Sequence, residues 1–291
     1  NQPFLVFENG MYVWKRLEEL REGMFVARVN KLPLPEESQP LLLPDMEQKN
    51  GKFAPAGRNL SRSNWISLPE KTSVELMDFL GLVVAEGYVA EDGITFANYD
   101  KGLRDHYKTL LKNLFDVTKT KEYKDGRVVC YSKALVAYVE QFGLTPGKKI
   151  PVVPDQLYKA PAEEAAAFVR GYFDGDGTVS MQGEYATPKL YSSEKRFLHE
   201  LQGILKLKLD IGSAVRKHPT PKGMMHALVI RGNQGRVAFA NKVGATSQSK
   251  SERLKKIKEN KREHEHIPTP KLLLNTLRSK VPYAAYRNND W

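Results

Sequence analysis

Between residues 71 and 257 the apolar and polar positions run through one order twice. Val74–Val89 and Pro161–Phe173 are apolar at helical spacing, and the second opens with Pro161 and two acids, as a helix first turn favours. Strand-like stretches follow, Gly93–Asn98 in one case and Thr178–Tyr191 in the other. Basic amphipathic helices come next, over Leu103–Phe115 and Glu194–Leu205. Then come two charged strand-like pieces, within Thr120–Tyr131 around Lys124-Asp-Gly-Arg127 and within Ile211–Arg231 around Pro221-Lys-Gly223. A closing helix is predicted near Lys133–Phe142 and near Gln234–Val243. Each copy therefore reads helix, two strands, helix, two strands, helix, and the fold class is α+β.

Aligning the copies at Gly81 and Gly171 places Ala85 on Gly175, Glu86 on Asp176 and Gly87 on Gly177. The small residues of each motif stand one turn apart, so Gly81, Ala85, Gly171 and Gly175 form helical faces that let two backbones approach closely. Gly87 and Gly177 suit helix C-caps. Packed through those faces, the helices bring Glu86 and Asp176 out side by side at one end. Two carboxylates at helix C-termini oppose both the dipole and each other. Divalent cations resolve that conflict, and hard oxygen donors suit magnesium. Either motif alone is more often structural; the pair with matching flanks points to a site.

The second motif admits two other readings, and both fail. Asp174-Gly-Asp-Gly-Thr-Val179 fits the pattern of aspartate-nucleophile phosphatases, but that chemistry needs a buried strand before the motif, and a helix is predicted there. Counted from Asp174, a calcium loop requires Gly and Glu where Val179 and Tyr185 stand.

The stretches FLGLVVAEG (79–87) and VRGYFDGDG (169–177) resemble the two signature helices of LAGLIDADG homing endonucleases in their two-copy, single-chain form. The resemblance implies two pseudo-symmetric αββαββα repeats, over 71–158 and 159–257, forming a DNA-binding saddle. It implies a site-specific double-strand DNA endonuclease that acts as a monomer, with Mg2+ or Mn2+, on a long asymmetric target. The alternative on the same fold is a non-cleaving DNA-binding protein or an RNA maturase. Glu86 and Asp176 are implied as metal ligands, with Ala85 and Gly175 beside them in the metal site, and Asp174 falls at a structural position. A basic residue is implied near each half-site: Lys148, with Lys149 as the other choice, and Lys250. Such a lysine polarises water or neutralises charge in the transition state; in a chain this basic, a solvated lysine is the competing reading. The charged strands offer Lys121, Lys124 and Arg127 in one half and Arg216, Lys217, Lys222 and Arg231 in the other for base edges and phosphates.

Composition agrees with a polyanionic partner. Lys and Arg number 45 against 34 Asp and Glu, a net charge of +11, which favours nucleic acid first and an acidic membrane second. With 41% hydrophobic and 27% charged residues the chain builds a core rather than remaining disordered. The single cysteine, Cys130, excludes an internal disulfide and suits a reducing compartment. No apolar run has the length of a membrane helix and the first residues lack a signal peptide, so an intracellular protein is expected, cytoplasmic or organellar.

The flanks carry separate signals. In residues 1–28, apolar alternation around Glu8-Asn-Gly10 predicts a hairpin, then a short helix near Lys15–Arg21 and a strand. This β-rich segment resembles the part of an intein splicing domain that follows its first block. Gln2 stands where the intein pattern has His, and no upstream nucleophile or terminal His-Asn is present, so an intein-derived endonuclease is expected rather than splicing. Residues 31–65 read as a linker arm, making 1–70 an N-terminal unit. In the tail, 258–291, His264 and His266 read as polar surface rather than a metal site, and 269–280 as a last helix.

Overall fold

The computed structural model of the protein describes residues 3–8, 11–27, 36–54, 65–147, 150–183, 185–221 and 223–257. The chain divides into two units, Asn1–Lys258 and Glu259–Trp291. The second unit lies outside the described residues, and with it His264, His266 and the helix expected over 269–280.

The N-terminal strands β1 (Pro3–Glu8), β2 (Met11–Arg16) and β3 (Phe25–Val26) form an antiparallel sheet in the order β2-β1-β3. The helix expected near Lys15–Arg21 shrinks to a single 3-10 turn at Leu17–Glu19, because β2 stays paired through Arg16. A small hairpin follows, β4 (Glu47–Lys49) and β5 (Lys52–Ala54).

The linker arm expected over 31–65 is pinned along its described part. Gln39 and Thr72 exchange hydrogen bonds at 2.7 and 2.8 Å. Gln141 clasps the backbone of Leu42 through both ends of its amide, at 3.0 Å each. Ser38 bonds Glu164, and Phe53 bridges Ile66. The reason is apolar anchorage: Leu41, Phe53, Ile66 and Leu68 are buried in the hydrophobic core, and Ala54 is buried beside Phe53. The arm thereby laces the repeats together, since Gln141 belongs to one and Glu164 to the other.

The first repeat comprises α1 (Val74–Glu86), β6 (Gly87–Ala90), β7 (Gly93–Ala97), α2 (Lys101–Phe115), β8 (Lys121–Glu122), β9 (Arg127–Tyr131) and α3 (Lys133–Glu140). The second comprises α4 (Ala162–Asp176), β10 (Gly177–Gln182), β11 (Tyr185–Ser192), α5 (Lys195–Leu209), β12 (Ser213–Thr220), β13 (Gly223–Ile230) and α6 (Asn233–Lys242). Their antiparallel sheets share one topology, β6-β7-β9-β8 and β10-β11-β13-β12. The αββαββα repeat is therefore present twice. The likeness reaches the helix ends: α2 and α5 both stop at an Asp in the left-handed region, Asp116 and Asp210, each at φ +54°. Asp tolerates that conformation better than most residues.

Helix starts follow local chemistry. Ser73, Asp100 and Ser132 cap α1, α2 and α3, each accepting a first-turn backbone N–H. One further helix, α7 (Gln248–Leu254), was not expected from the sequence. Its run QSKSERL has little apolar periodicity, and Leu254 is its only buried residue.

Period-2 alternation divides the sheet faces. Ile94, Phe96, Val128 and Cys130 face the core of the first repeat, and Val179, Leu190, Leu228 and Ile230 that of the second. Between the repeats α1 packs on α4, with Asp78 buried and held by His106 at 2.9 Å and by Arg170 at 3.0 Å. Among the described residues no helix is long and apolar enough to cross a membrane.

Candidate active site

The site begins at the α1–α4 contact. A Cβ on Gly81 would lie 2.2 Å from the Phe168 carbonyl oxygen, and one on Gly175 would lie 2.5 Å from Cβ of Ala85. Only glycine lets the helices approach this closely. Both then run straight into strands through Gly87 and Gly177, whose N–H groups bond Val83 and Phe173. These glycines close the helices, but not in the left-handed form a glycine cap usually takes: φ is −86° and −106°. The requirement is steric instead, since a Cβ would stand 2.3 Å from the Val83 oxygen or 2.4 Å from the Phe173 oxygen.

Glu86 and Asp176 end the two helices at the same side of this contact. Glu86 is half-buried and its Cγ lies 2.8 Å from where a Gly175 Cβ would be, so its stem rests on the end of α4. Its Oε1 accepts the Asn98 amide at 3.1 Å. Asp176 is exposed. Ala85 is buried at the contact and Gly175 half-buried beside it.

Asp174 and Lys250 form the floor. The Asp174 carboxylate accepts the backbone N–H groups of Thr246 at 2.8 Å and Ser247 at 3.0 Å, which fixes the turn into α7. Burial pushes this carboxyl above the usual carboxylate range, and the two N–H groups pull it back. One turn along α7, Lys250 aims its ammonium at the carbonyls of Phe173 (2.7 Å) and Asp174 (2.6 Å), with Gly175 at 3.4 Å. It thus caps α4, placing a cation at the negative end of the helix. Burial pulls its pKa below the ordinary lysine range, opposed by Asp174, Asp176, Glu86 and Asp100. The resemblance implies that this lysine polarises water or neutralises charge in the transition state; here its ammonium donates to helix carbonyls.

A chain of hydrogen bonds crosses from one repeat to the other. Asn98 links Glu86 to the Asp100 N–H (2.8 Å), Asp100 accepts the Ser247 hydroxyl (3.1 Å), and the Ser247 N–H reaches Asp174. Asn98, Asp100 and Ser247 escaped the sequence reading. The signal for Asn98 was its place two residues before the cap of α2, where the second repeat has Ser192 before Glu194.

Divalent metal fits this donor set. Among the described residues no cluster of three or more metal-ligating side chains occurs. Two carboxylates, one from each half, suffice for a magnesium-type ion that takes its other ligands from water and phosphate. Asp174, Asp176, Glu86 and Asp100 all lie close enough to Lys250 to favour its charged form.

The outward sheet faces carry most of the described residues expected to meet nucleic acid. On the first, Tyr88, Thr95, Arg127, Tyr131 and Lys121 share a face by register. The Tyr123 ring has the Lys121 ammonium and the Arg127 guanidinium each 4.8 Å from its centroid. Lys124 is exposed in the turn. On the second, Thr178, Lys189, Tyr191, Ala214, Arg216 and His218 share the outward face, with Tyr191 and His218 rings 4.9 Å apart. Lys217 falls on the opposite face with Val215, because neighbours along a strand alternate. Arg231 is exposed just past β13. Tyr88, Tyr123, Tyr131, Lys189 and His218 also lie on or beside these faces; charge alone does not pick out rings, and the register is needed to choose faces. Lys148, Lys149 and Lys222 lie outside the described residues.

A family model described as LAGLIDADG-like domain matches residues 73–143 and again 163–244. The probable translation initiation factor IF-2 of Methanocaldococcus jannaschii is 27% identical over 245 residues, 77% of this chain and 20% of that protein. The Replication factor C small subunit of the same organism is 28% identical over 193 residues, 63% of this chain and 10% of that protein. The chain thus spans a fifth or less of the length of these relatives. Among solved structures, that of I-DmoI in complex with DNA and Ca aligns with 63% of this chain and 98% of its own, at 16% identity and a TM-score of 0.46.

Proposed function

The chain belongs to the family of LAGLIDADG-like domains, and from that premise we propose that it is a site-specific double-strand DNA endonuclease. One observation carries the reading: Glu86 and Asp176 end two tightly packed helices at the junction of two sheets whose outward faces are basic and aromatic. Glu86 and Asp176 would hold Mg2+ or Mn2+, which supplies activation of a water and stabilisation of the leaving oxygen. The Asn98 amide orients Glu86, and Lys250 anchors the helix end that presents Asp176. Arg127 and Lys121 on one sheet, and Arg216, Lys189 and His218 on the other, contact phosphates and base edges in the major groove.

The two outward faces differ in sequence, so the target is asymmetric and one chain suffices. Related stretches lie within an initiation factor and a replication factor, each aligned over a small fraction of its length. Recurrence inside proteins of unlike name supports an inserted, intein-derived element.

The test is cleavage of a randomised plasmid library with magnesium, beside Glu86→Gln and Asp176→Asn. Loss of cutting in both variants with DNA binding retained is the expected result. Cutting that survives both would refute the site, and binding without cutting by the unaltered chain would make it a non-cleaving DNA-binding protein.

A further inference from the structure

The turn between β8 and β9 is held in one shape by its own backbone. Tyr123 donates its N–H to the Arg127 carbonyl at 2.8 Å, and Gly126 donates to the Tyr123 carbonyl at 3.1 Å. Gly126 takes φ +86°, a conformation open to glycine. A Cβ there would stand 2.8 Å from the Asn98 carbonyl oxygen, so the turn lies tight against the chain just past β7. The Asn98 N–H ties it there through the Gly126 carbonyl at 3.2 Å.

Arg127 is gripped on this turn from two directions. Its Nε donates to the Asp125 carboxylate at 2.9 Å, and Asp125 also accepts the Arg127 backbone N–H at 3.3 Å. Its guanidinium lies 4.8 Å from the centroid of the Tyr123 ring. The β8–β9 register, carried two residues toward the turn, sets Tyr123 opposite Arg127 on the outward face. An exposed Asp–Arg pair by itself contributes little; a ring against the planar group adds a cation–π contact and fixes its plane. The grip engages Nε, so the fork still has Nη1 and Nη2 to give. Arg216, on the edge strand of the second half, stands opposite Ala227 with Ala214 and His218 on its face, neighbours that offer it no carboxylate.

We propose that Arg127 reads a guanine in the major groove through Nη1 and Nη2, and that Tyr123 and Asp125 are the positioning residues that hold it for that base. A phosphate offers acceptors in many directions and gains little from a guanidinium fixed in one plane. A base edge offers them in one direction, and guanine presents O6 and N7 side by side to such a fork. Lys121, whose ammonium lies 4.8 Å from the same ring, is a compact charge on a flexible stem and suits a phosphate. The first half thus carries a preorganised base contact where Arg216 supplies charge, which deepens the asymmetry between the halves. The inference rests on the reading of the outward sheet faces as the duplex-binding surface.

The test lets the full chain select duplexes from a random-sequence library, without added divalent cation, and sequences what is bound. The native chain is expected to enrich a sequence with a guanine at one position where Arg127→Lys relaxes the preference about tenfold. Lysine keeps the charge and loses the fork, so the slope of log affinity against log salt stays as it is. Tyr123→Leu is expected to relax the same guanine about threefold, and Tyr123→Phe, which keeps the ring, to retain it. A merely structural Tyr123 would instead weaken binding to all sequences alike. A preference untouched by Arg127→Lys, or relaxed only at A·T pairs, would overturn the inference and leave the endonuclease reading standing. A native chain that enriches no sequence would bring down both.

Discussion

Gly81 of α1 and Gly171 of α4 face one another so closely that neither has room for a side chain. A Cβ on Gly81 would stand 2.2 Å from the Phe168 carbonyl oxygen, and one on Gly171 would stand 2.3 Å from that of Asp78. The obstructing atoms are backbone, so no rotamer change relieves the clash. The two helices must separate, and the separation propagates toward Glu86 and Asp176. Helix propensity alone favours Ala over Gly by about 1 kcal/mol. Overpacking of a rigid contact outweighs it, and Gly81→Ala and Gly171→Ala are each expected to lose roughly 2–3 kcal/mol. Urea denaturation checks this; a stabilised variant would mean that the helices slide apart without cost.

Tyr107 is expected to be better without its hydroxyl. Its ring is stacked between Phe79 at 5.6 Å and Phe96 at 4.6 Å, in the core of the first repeat. The hydroxyl is buried with no hydrogen-bond partner among the described residues, and burial holds the phenol well above the ordinary tyrosine range. A buried donor left unsatisfied costs about 1–3 kcal/mol, whereas an apolar group of the same shape does not. Tyr107→Phe should therefore raise stability by about 1 kcal/mol, seen as a melting temperature about 2–4 °C higher. A lower melting temperature would show that the hydroxyl is bonded in solution.

The repeat was legible in the sequence because a close helix contact leaves a residue-level trace. Gly81, Ala85 and Glu86 match Gly171, Gly175 and Asp176 at one spacing, and no packing detail is needed to see it. Helix ends were legible to within a few residues. Helix α5 runs on to Leu209, past the Leu205 expected, because Leu209 and Ile211 are buried there. What could not be read depends on residues far apart in the chain. Lys250 was named for the site on the resemblance alone; that it caps α4 could not be read, because nothing in QSKSERL announces a partner 70-odd residues away. The arm at 36–54 looked loose because Pro and polar residues dominate it, and its order comes from isolated apolar anchors meeting a core that the sequence does not display. That Arg216 and Lys217 point opposite ways follows from strand period; which of them points outward required the register with β13.

Asp174 should make the protein less stable as pH rises through its titration. Burial raises its pKa in the folded chain above the usual Asp value. Between those two values the folded state keeps a proton that the unfolded state has released, so stability falls with increasing pH. Below the usual value both states are protonated and the loss is absent; above the raised value both are ionised and the loss is complete. Asp174→Asn removes this titration and adds a constant cost, because its amide must face the N–H of Thr246 or Ser247. Denaturation of both proteins from about pH 3.5 to about pH 7 spans the window. The stability advantage of the native chain over the variant is expected to shrink as pH rises. An advantage that grows instead would mean that the two backbone N–H groups outweigh burial.

Arg216 and Lys217 give a paired test of the DNA-binding face, since each Ala substitution removes one positive charge from the same strand. Arg216 lies outward with Ala214 and His218, near Tyr191, whereas Lys217, equally exposed at this end of the strand, lies on the opposite face with Val215. A ligand attracted by net charge alone would feel the two losses equally. A duplex seated on the outward sheet would lose a phosphate contact only with Arg216→Ala. Binding of random-sequence duplex, followed by fluorescence anisotropy over a salt series, separates the cases. Arg216→Ala is expected to weaken binding and to lower the slope of log affinity against log salt by about one, with Lys217→Ala close to native. Equal losses would place the duplex elsewhere on the molecule, because only the sheet register distinguishes these neighbours.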